Sequence, residues 1–309
     1  MVYTITLNPA IDHTVYVDRL VIGGLNRTGR FTYNAGGKGI NVSRTLNIFG
    51  VENKAVTVIA GKNGEALKER CREAGLNTLC WAADGETREN TKIVDLEKSV
   101  TTELNEPGPA VTEELLDKIL QDLISRARPG DLVVLTGSLP KGVSPKMYGE
   151  WADALAKKNV KVFLDASGEA LRLGLESCIY AAKPNHTELE QLLNKSIAND
   201  EEIVSAGKEL LSQNLKKVII SLGEKGAYYF EKEKTFYIAP MDVPVLSTVG
   251  AGDSMVAALI YSDLNKKSAA ETAKLVVAAA SASIMSASPE AVTMQLIHTL
   301  YDQVKITEI

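Results

Sequence analysis

Short apolar runs alternate with amphipathic stretches along most of the chain. Leu132-Val133-Val134-Leu135 is apolar throughout, as a parallel strand covered on both faces would be. Ala55 to Ala60, Val160 to Asp165, Ile179 to Lys183 and Val218 to Ser221 repeat that strand pattern. Between them the period changes to that of a helix, over Gly64 to Ala74 and over Thr112 to Ala127. The latter turns Leu115, Leu116, Ile119, Leu120, Leu123 and Ile124 inward and stops at Pro129-Gly130-Asp131. This rhythm predicts a doubly wound α/β fold with a mostly parallel sheet flanked by helices. A second pattern is more polar. Thr14 to Asp18, Arg30 to Tyr33, Asn90 to Asp95 and Ser99 to Leu104 alternate with polar residues at every other position, the last two as a hairpin. They suit a small sheet with one exposed face, and the segments at about 12–34 and 87–105 together predict one lid. No internal repeat, low-complexity tract or linker interrupts residues 1–309, which read as one domain.

Charge narrows the partners. Charged residues make up 24% of the 309 positions and the formal net charge is -5, so no broad attraction to nucleic acid or to an anionic membrane is expected. An anionic substrate would have to be held by local cations. Cys71, Cys80 and Cys178 lack metal or redox spacing, which fits free thiols in a reducing compartment. His13, His186 and His298 are equally scattered. The first residues, Met1 to Pro9, alternate like a strand and carry no basic leader, and no run of 18 apolar residues occurs; a cytoplasmic protein is expected.

Two glycine turns carry candidate chemistry. In Ser247-Thr248-Val249-Gly250-Ala251-Gly252-Asp253-Ser254-Met255, the Gly-Ala-Gly step opens a helix with Met255, Val256, Leu259 and Ile260 on one face. Small residues there let backbone N–H groups approach an anion, aided by roughly half a unit of positive charge at the helix end. Asp253 then has two readings: a residue capping the turn, or a base that takes a proton from a hydroxyl attacking a bound phosphate. The second turn, Asn34-Ala35-Gly36-Gly37-Lys38-Gly39-Ile40-Asn41, also opens a helix. It is not a Walker A loop, because the four-residue spacer and the Lys-Ser/Thr pair are missing. Thr136-Gly137-Ser138-Leu139-Pro140 lies at the carboxyl end of an apolar strand, where open α/β sheets place ligands.

Taken in order, these stretches resemble the ribokinase-like sugar kinases of the phosphofructokinase B family. Ala35 to Arg44 is similar to its N-terminal signature and Thr248 to Ser254 to its C-terminal one. Gly137 to Pro140, Asn185 to Glu188 and Ser221 to Gly226 match between them. Asn8-Pro9, Asn26-Arg27, the lysine of Gly-Gly-Lys-Gly and Gly85 to Arg88 look most like the 1-phosphofructokinase and tagatose-6-phosphate kinase branch. The resemblance implies a ribokinase-like fold whose lid often also makes a dimer contact. It implies transfer of the ATP γ-phosphoryl group to a sugar hydroxyl, with Asp253 as base and Gly250, Ala251 and Gly252 as anion hole. Asp12, Gly36, Gly37, Asn41 and Ser138 would meet the sugar; Lys38, Arg27 and Arg88 are candidates for the phosphate already on it. Lys183, Asn185, Ser221, Gly223 and Gly226 would line ATP and Ser281 would face adenine. Asn185 and Glu188 would act on Mg²⁺ through water. The chain departs from the family pattern over Ala278 to Pro289, which lacks the glycines and asparagines often seen near adenine and a monovalent cation. Fructose 1-phosphate is the first expected substrate and tagatose 6-phosphate its rival. A non-catalytic sugar-phosphate sensor is the contrasting class. A Rossmann oxidoreductase is disfavoured, since no Gly-x-Gly-x-x-Gly follows the first strand.

Overall fold

A computed structural model describes residues 1–212, 215–286 and 291–309. Strand β1 (Val2–Thr6) leads into β2 (Ala10–Val17), β3 (Arg30–Gly36), helix α1 (Lys38–Ile48), β4 (Asn53–Ile59), α2 (Gly61–Glu73) and β5 (Thr78–Ala82). Next come β6 (Arg88–Asp95), β7 (Val100–Asn105), α3 (Glu113–Arg126), β8 (Leu132–Thr136), α4 (Met147–Ala156), β9 (Lys161–Asp165) and α5 (Gly168–Gly174). The rest comprises β10 (Ala181–Ala182), α6 (His186–Leu193), α7 (Asp200–Ser212), β11 (Lys217–Ser221), β12 (Ala227–Glu231) and β13 (Lys234–Ile238), then α8 (Ala251–Leu264), α9 (Ala269–Ile284), α10 (Met294–Tyr301) and β14 (Ile306–Glu308).

Among the described residues, one sheet runs β14-β13-β12-β11-β10-β9-β8-β1-β4-β5. It is parallel from β11 to β5 and antiparallel from β11 to β14. The antiparallel edge has no counterpart in the strand pattern read from the sequence. The apolar strands are buried on both faces because their side chains alternate. Tyr3, Ile5, Val133, Leu135, Val162 and Leu164 join a core with α3, α4 and α7, while Val2, Leu132, Val134 and Phe163 join one with α1, α8 and α9. The predicted strand Ile179 to Lys183 shrinks to β10, although ladder bonds continue on either side, from Tyr180 N to Val162 O and Lys183 N to Leu164 O.

Helix α8 differs from its one-faced expectation. Every residue from Asp253 to Ile260 is buried, because Ala257 and Ala258 let α8 pack between α1 and α9. The second sheet has the order β3-β2-β6-β7, with β2 parallel to β6 and antiparallel to β3. Its segments are the polar strands predicted above, including the β6–β7 hairpin. Among the described residues, no helix is long and apolar enough to cross a membrane.

Candidate active site

The carboxyl ends of β8, β9 and β10 converge on the start of α8. Asp165, the last residue of β9, is buried and accepts from Thr136 Oγ1 at 3.3 Å. Two ammonium groups, Lys38 Nζ and Lys183 Nζ, each stand 3.3 Å from its carboxylate oxygens. Burial alone would raise the Asp165 pKa, yet the charges of Lys183 and Lys38 hold it below the ordinary carboxylate value. Burial likewise opposes the charge on Lys38, but Asp165, Asp253 and Glu188 outweigh it and keep the lysine pKa raised. The strand pattern marked Val160 to Asp165 without singling out Asp165. The missed signal was its place, an acidic residue ending an apolar parallel strand.

Asp253 lies in the first turn of α8 but does not cap it; the N-cap is Gly250, in the left-handed region at φ 82°. Its Oδ2 accepts from Asn41 Nδ2 at 2.8 Å, and Arg44 fixes that amide by donating to Asn41 Oδ1 at 3.0 Å. Arg44 also donates to Ala35 O. Asp253 is 6% exposed. Burial, then the charge of Asp165, raises its pKa to about 6 against the opposing pull of Lys38, the Asn41 hydrogen bond and Lys183. Gly252 is where Lys183 packs: a Cβ there would lie 3.1 Å from Nζ. The helix start therefore offers free amide dipoles, two cations and one basic carboxylate within a few residues, suited to taking a proton from an alcohol beside a phosphoryl group.

A cleft of about 500 Å³ opens beside this cluster between the second sheet and the 245–250 loop. Asp12, Asn41 and Gly250 line it. Asp12 is held by Lys92 Nζ at 3.1 Å and Asn90 Nδ2 at 3.2 Å, and its carboxylate packs on Gly36, where a Cβ would come within 2.6 Å. Gly37 has φ 128°, a conformation that favours glycine and turns the chain into α1. Ser138, at the end of β8, accepts from Asn8 Nδ2 at 3.2 Å. Tyr148 OH donates to the carbonyls of Thr136 and Gly137 and so pins that turn.

Two of the three cations read from the sequence stand apart from the carboxylate cluster. Arg27 is exposed in the loop between β2 and β3. Arg88 donates to the carbonyls of Asn8, Pro9 and Glu106 and to Asn90 Oδ1, stapling the β1–β2 turn to the chain after β7. Asn185 and Glu188 cap α6 reciprocally, Asn185 Oδ1 accepting from Glu188 N and Glu188 Oε2 from Asn185 N, both at 2.8 Å. Asn185 also bridges to Ser221, so these two adjoin at the end of β11. Gly223 starts the following turn at φ 62° with open space around it. Gly226 ends the turn at φ 88°, and a Cβ there would strike Ile238 O at 2.1 Å. Ser281 is buried in α9; Ser283, two residues on, reaches the cleft beside Gly250. Of the 278–289 stretch, 287–289 lie outside the described residues.

A buried carboxylate and two cations at a helix start, at the carboxyl edge of a parallel sheet and beneath a second sheet, suit a phosphotransferase acting on an alcohol. Residues 5–294 match the family described as pfkB family carbohydrate kinase, and the chain belongs to that family. It is 37% identical to the 1-phosphofructokinase of Bacillus subtilis (strain 168), covering all of both chains. The 1-phosphofructokinase of Haemophilus influenzae is 35% identical over all of this chain and 98% of its own. Phosphofructokinase-2 from Escherichia coli in complex with potassium superposes with a TM-score of 0.92 at 28% identity, over 98% of each chain. A tetrameric inhibited form of that enzyme gives 0.90 over the same coverage. The ribokinase-like α/β architecture is thus that of solved carbohydrate kinases.

Proposed function

We propose that the chain transfers the γ-phosphoryl group of ATP to the 6-hydroxyl of fructose 1-phosphate, giving fructose 1,6-bisphosphate and ADP. The observation that carries the reaction type is Asp253, a buried carboxylate with a pKa of about 6 at the amide-rich start of α8. The full-length similarity to 1-phosphofructokinases supports the substrate. Asp253 takes the proton from the 6-hydroxyl as that oxygen attacks phosphorus, and the bond to the ADP oxygen breaks. Gly250, Ala251 and Gly252 amides stabilise charge on the transferred group, while Lys38 and Lys183 flank it. Asp12, Gly36, Gly37, Asn41 and Ser138 bind the sugar, and Lys183, Asn185, Ser221, Gly223, Gly226 and Ser281 form the ATP side.

Mg²⁺ bound with ATP would offset the charge developing on the phosphates, and Asn185 and Glu188 would hold it through water. The donor set fits a hydrated ion better than one caged by protein. No group of three metal-ligating side chains occurs among the described residues, and Asn185 and Glu188 each commit one oxygen to the α6 cap. The second sheet serves as a lid on a single 1–309 kinase domain and as a homodimer contact. Free thiols and these substrates suit the cytoplasm.

The test is ADP release by purified protein with Mg-ATP, comparing kcat/KM for fructose 1-phosphate, tagatose 6-phosphate, fructose 6-phosphate and fructose. Fructose 1-phosphate is expected to exceed the others. A preference for tagatose 6-phosphate would replace the substrate, and binding without turnover would replace the reaction by sensing.

A further inference from the structure

Asn8, from the Asn8-Pro9 motif, stands two residues past β1, and Ser138 stands two residues past β8. Those strands are parallel neighbours, so the two turns meet at the carboxyl edge of the large sheet. Asn8 is 7% exposed and is held by three other segments. Its carbonyl accepts from Arg88 Nη2 at 3.0 Å and Nε at 3.3 Å, at the start of β6. Its Nδ2 donates to Pro107 O at 3.3 Å, in the chain that leaves β7, and to Ser138 Oγ at 3.2 Å. Its Oδ1 packs on Gly108, where a Cβ would collide with it. Ser138 itself is exposed, on the turn that Tyr148 pins.

These contacts fix the polarity of Ser138. A carbonyl oxygen can only accept, so Pro107 requires the amide nitrogen of Asn8, and not its oxygen, on that side. The second N–H of the same nitrogen then meets Ser138 Oγ, which must accept. The serine proton is thereby turned away from Asn8, and a hydroxyl that accepts one hydrogen bond donates another more strongly. We propose that Asn8 is a positioning residue that keeps the Ser138 hydroxyl as a donor to the phosphosugar, so that this side of the site recognises a sugar oxygen by its lone pair. This rests on the sugar-kinase reading above, in which Ser138 binds the sugar. Asp12, ion-paired with Lys92, can only accept and supplies the opposite polarity from β2. One residue takes a hydroxyl proton and the other gives one. Because Pro107 O lies where the chain leaves the second sheet, the orientation of the Asn8 amide is set by that sheet as well as by β1.

Steady-state kinetics of Asn8→Leu, Ser138→Ala and the double variant, with fructose 1-phosphate varied, test this. Leucine keeps the volume of the asparagine and removes both donors. Ser138→Ala is expected to raise KM for fructose 1-phosphate about tenfold and Asn8→Leu about fivefold, with KM for ATP within about twofold. In the Ser138→Ala background, Asn8→Leu should add less than about twofold, because the group it orients is gone. A role in folding alone would lower Tm while leaving that KM unchanged, or would multiply the two losses; either result overturns the proposal, as does an unchanged KM in Ser138→Ala. Gly108→Ala displaces the amide without removing its donors and should show the same loss of effect in the Ser138→Ala background; it decides the matter if Asn8→Leu does not fold. If the wild type prefers another phosphosugar, the same cycle with that compound decides the role of Asn8 separately from the substrate assignment. If nothing turns over, calorimetric binding of fructose 1-phosphate without ATP to these variants decides it: losses that do not multiply support the proposal, and losses that do, or no binding by the wild type, overturn it.

Discussion

At neutral pH a carboxylic acid with a pKa near 6 is mostly ionised and is still basic enough to accept a proton from an attacking alcohol. The same shift acts against the fold. Because burial and Asp165 raise Asp253 from 3.8 to about 6, the folded state holds that proton more tightly than the unfolded chain does. Stability from this group is therefore greatest below pH 4 and is lost as pH rises through 6. Asp253→Asn should raise stability at pH 8 by on the order of 2 kcal/mol, a rise of about 4 °C in Tm. Its kcat should fall by at least a hundredfold. Calorimetry at pH 8 and pH 4 checks the first part, since the gain should vanish at the lower pH. A Tm unchanged at pH 8 would contradict the strained carboxylate. The two neighbours should move the acid limb of kcat/KM in opposite directions. Removing the Asp165 charge with Asp165→Asn lowers the limb, whereas Lys38→Met raises it. A pH-rate profile showing both moving the same way would separate that limb from Asp253. Asp165→Asn also leaves Lys38 and Lys183 without their shared counterion, so it should lose about 3–5 kcal/mol of stability.

Glycines in the turns between elements serve different ends, which spacing alone does not separate. Gly223 and Gly226 bracket one turn after β11 and look equivalent in the sequence. A Cβ at Gly223 meets nothing, so Gly223→Ala should cost about 1 kcal/mol for its left-handed φ and act mainly on the KM for ATP. At Gly226 the Cβ would collide with the backbone of Ile238 and Pro240, so Gly226→Ala should cost several kcal/mol. Urea midpoints of the two variants, with ATP kinetics on whichever remains folded, distinguish a ligand-facing glycine from a packing one. The elements themselves were legible because apolar period and burial agree. Leu132 to Thr136 is buried throughout, and Leu116, Ile119 and Leu123 of α3 face the core as their spacing predicts. Partnerships were less legible. Lys38 meets Asp165 across 127 positions, a contact set by two different strand-to-helix turns. Arg88 carries the charge expected of a phosphate ligand, yet its donors close a backbone junction that appears only after β2 and β6 pair.

At the scale of the molecule, the second sheet has two unlike faces. Asp12, Thr14, Thr32, Asn34 and Lys92 turn toward the cleft, while His13, Phe31, Tyr33 and Leu104 fall on the alternate positions. There His13 stacks on Tyr33 with ring centroids 4.1 Å apart, and Phe31 meets Tyr33 edge-on at 5.8 Å. Phe31 remains 58% exposed and Leu104 57%. The homodimer contact proposed above would use this outer face, where apolar and aromatic side chains gather and a second copy of the chain brings the same patch. Sedimentation velocity at micromolar concentration is therefore expected to show a dimer. Phe31→Asp combined with Leu104→Asp should shift it to monomer, because each charge would be buried without a counterion in the joined surface. Both positions lie away from the cleft lining, so any loss of kcat/KM in the monomer would come from a sheet no longer braced over the site. An unchanged sedimentation coefficient in the double variant would place the dimer contact on another face.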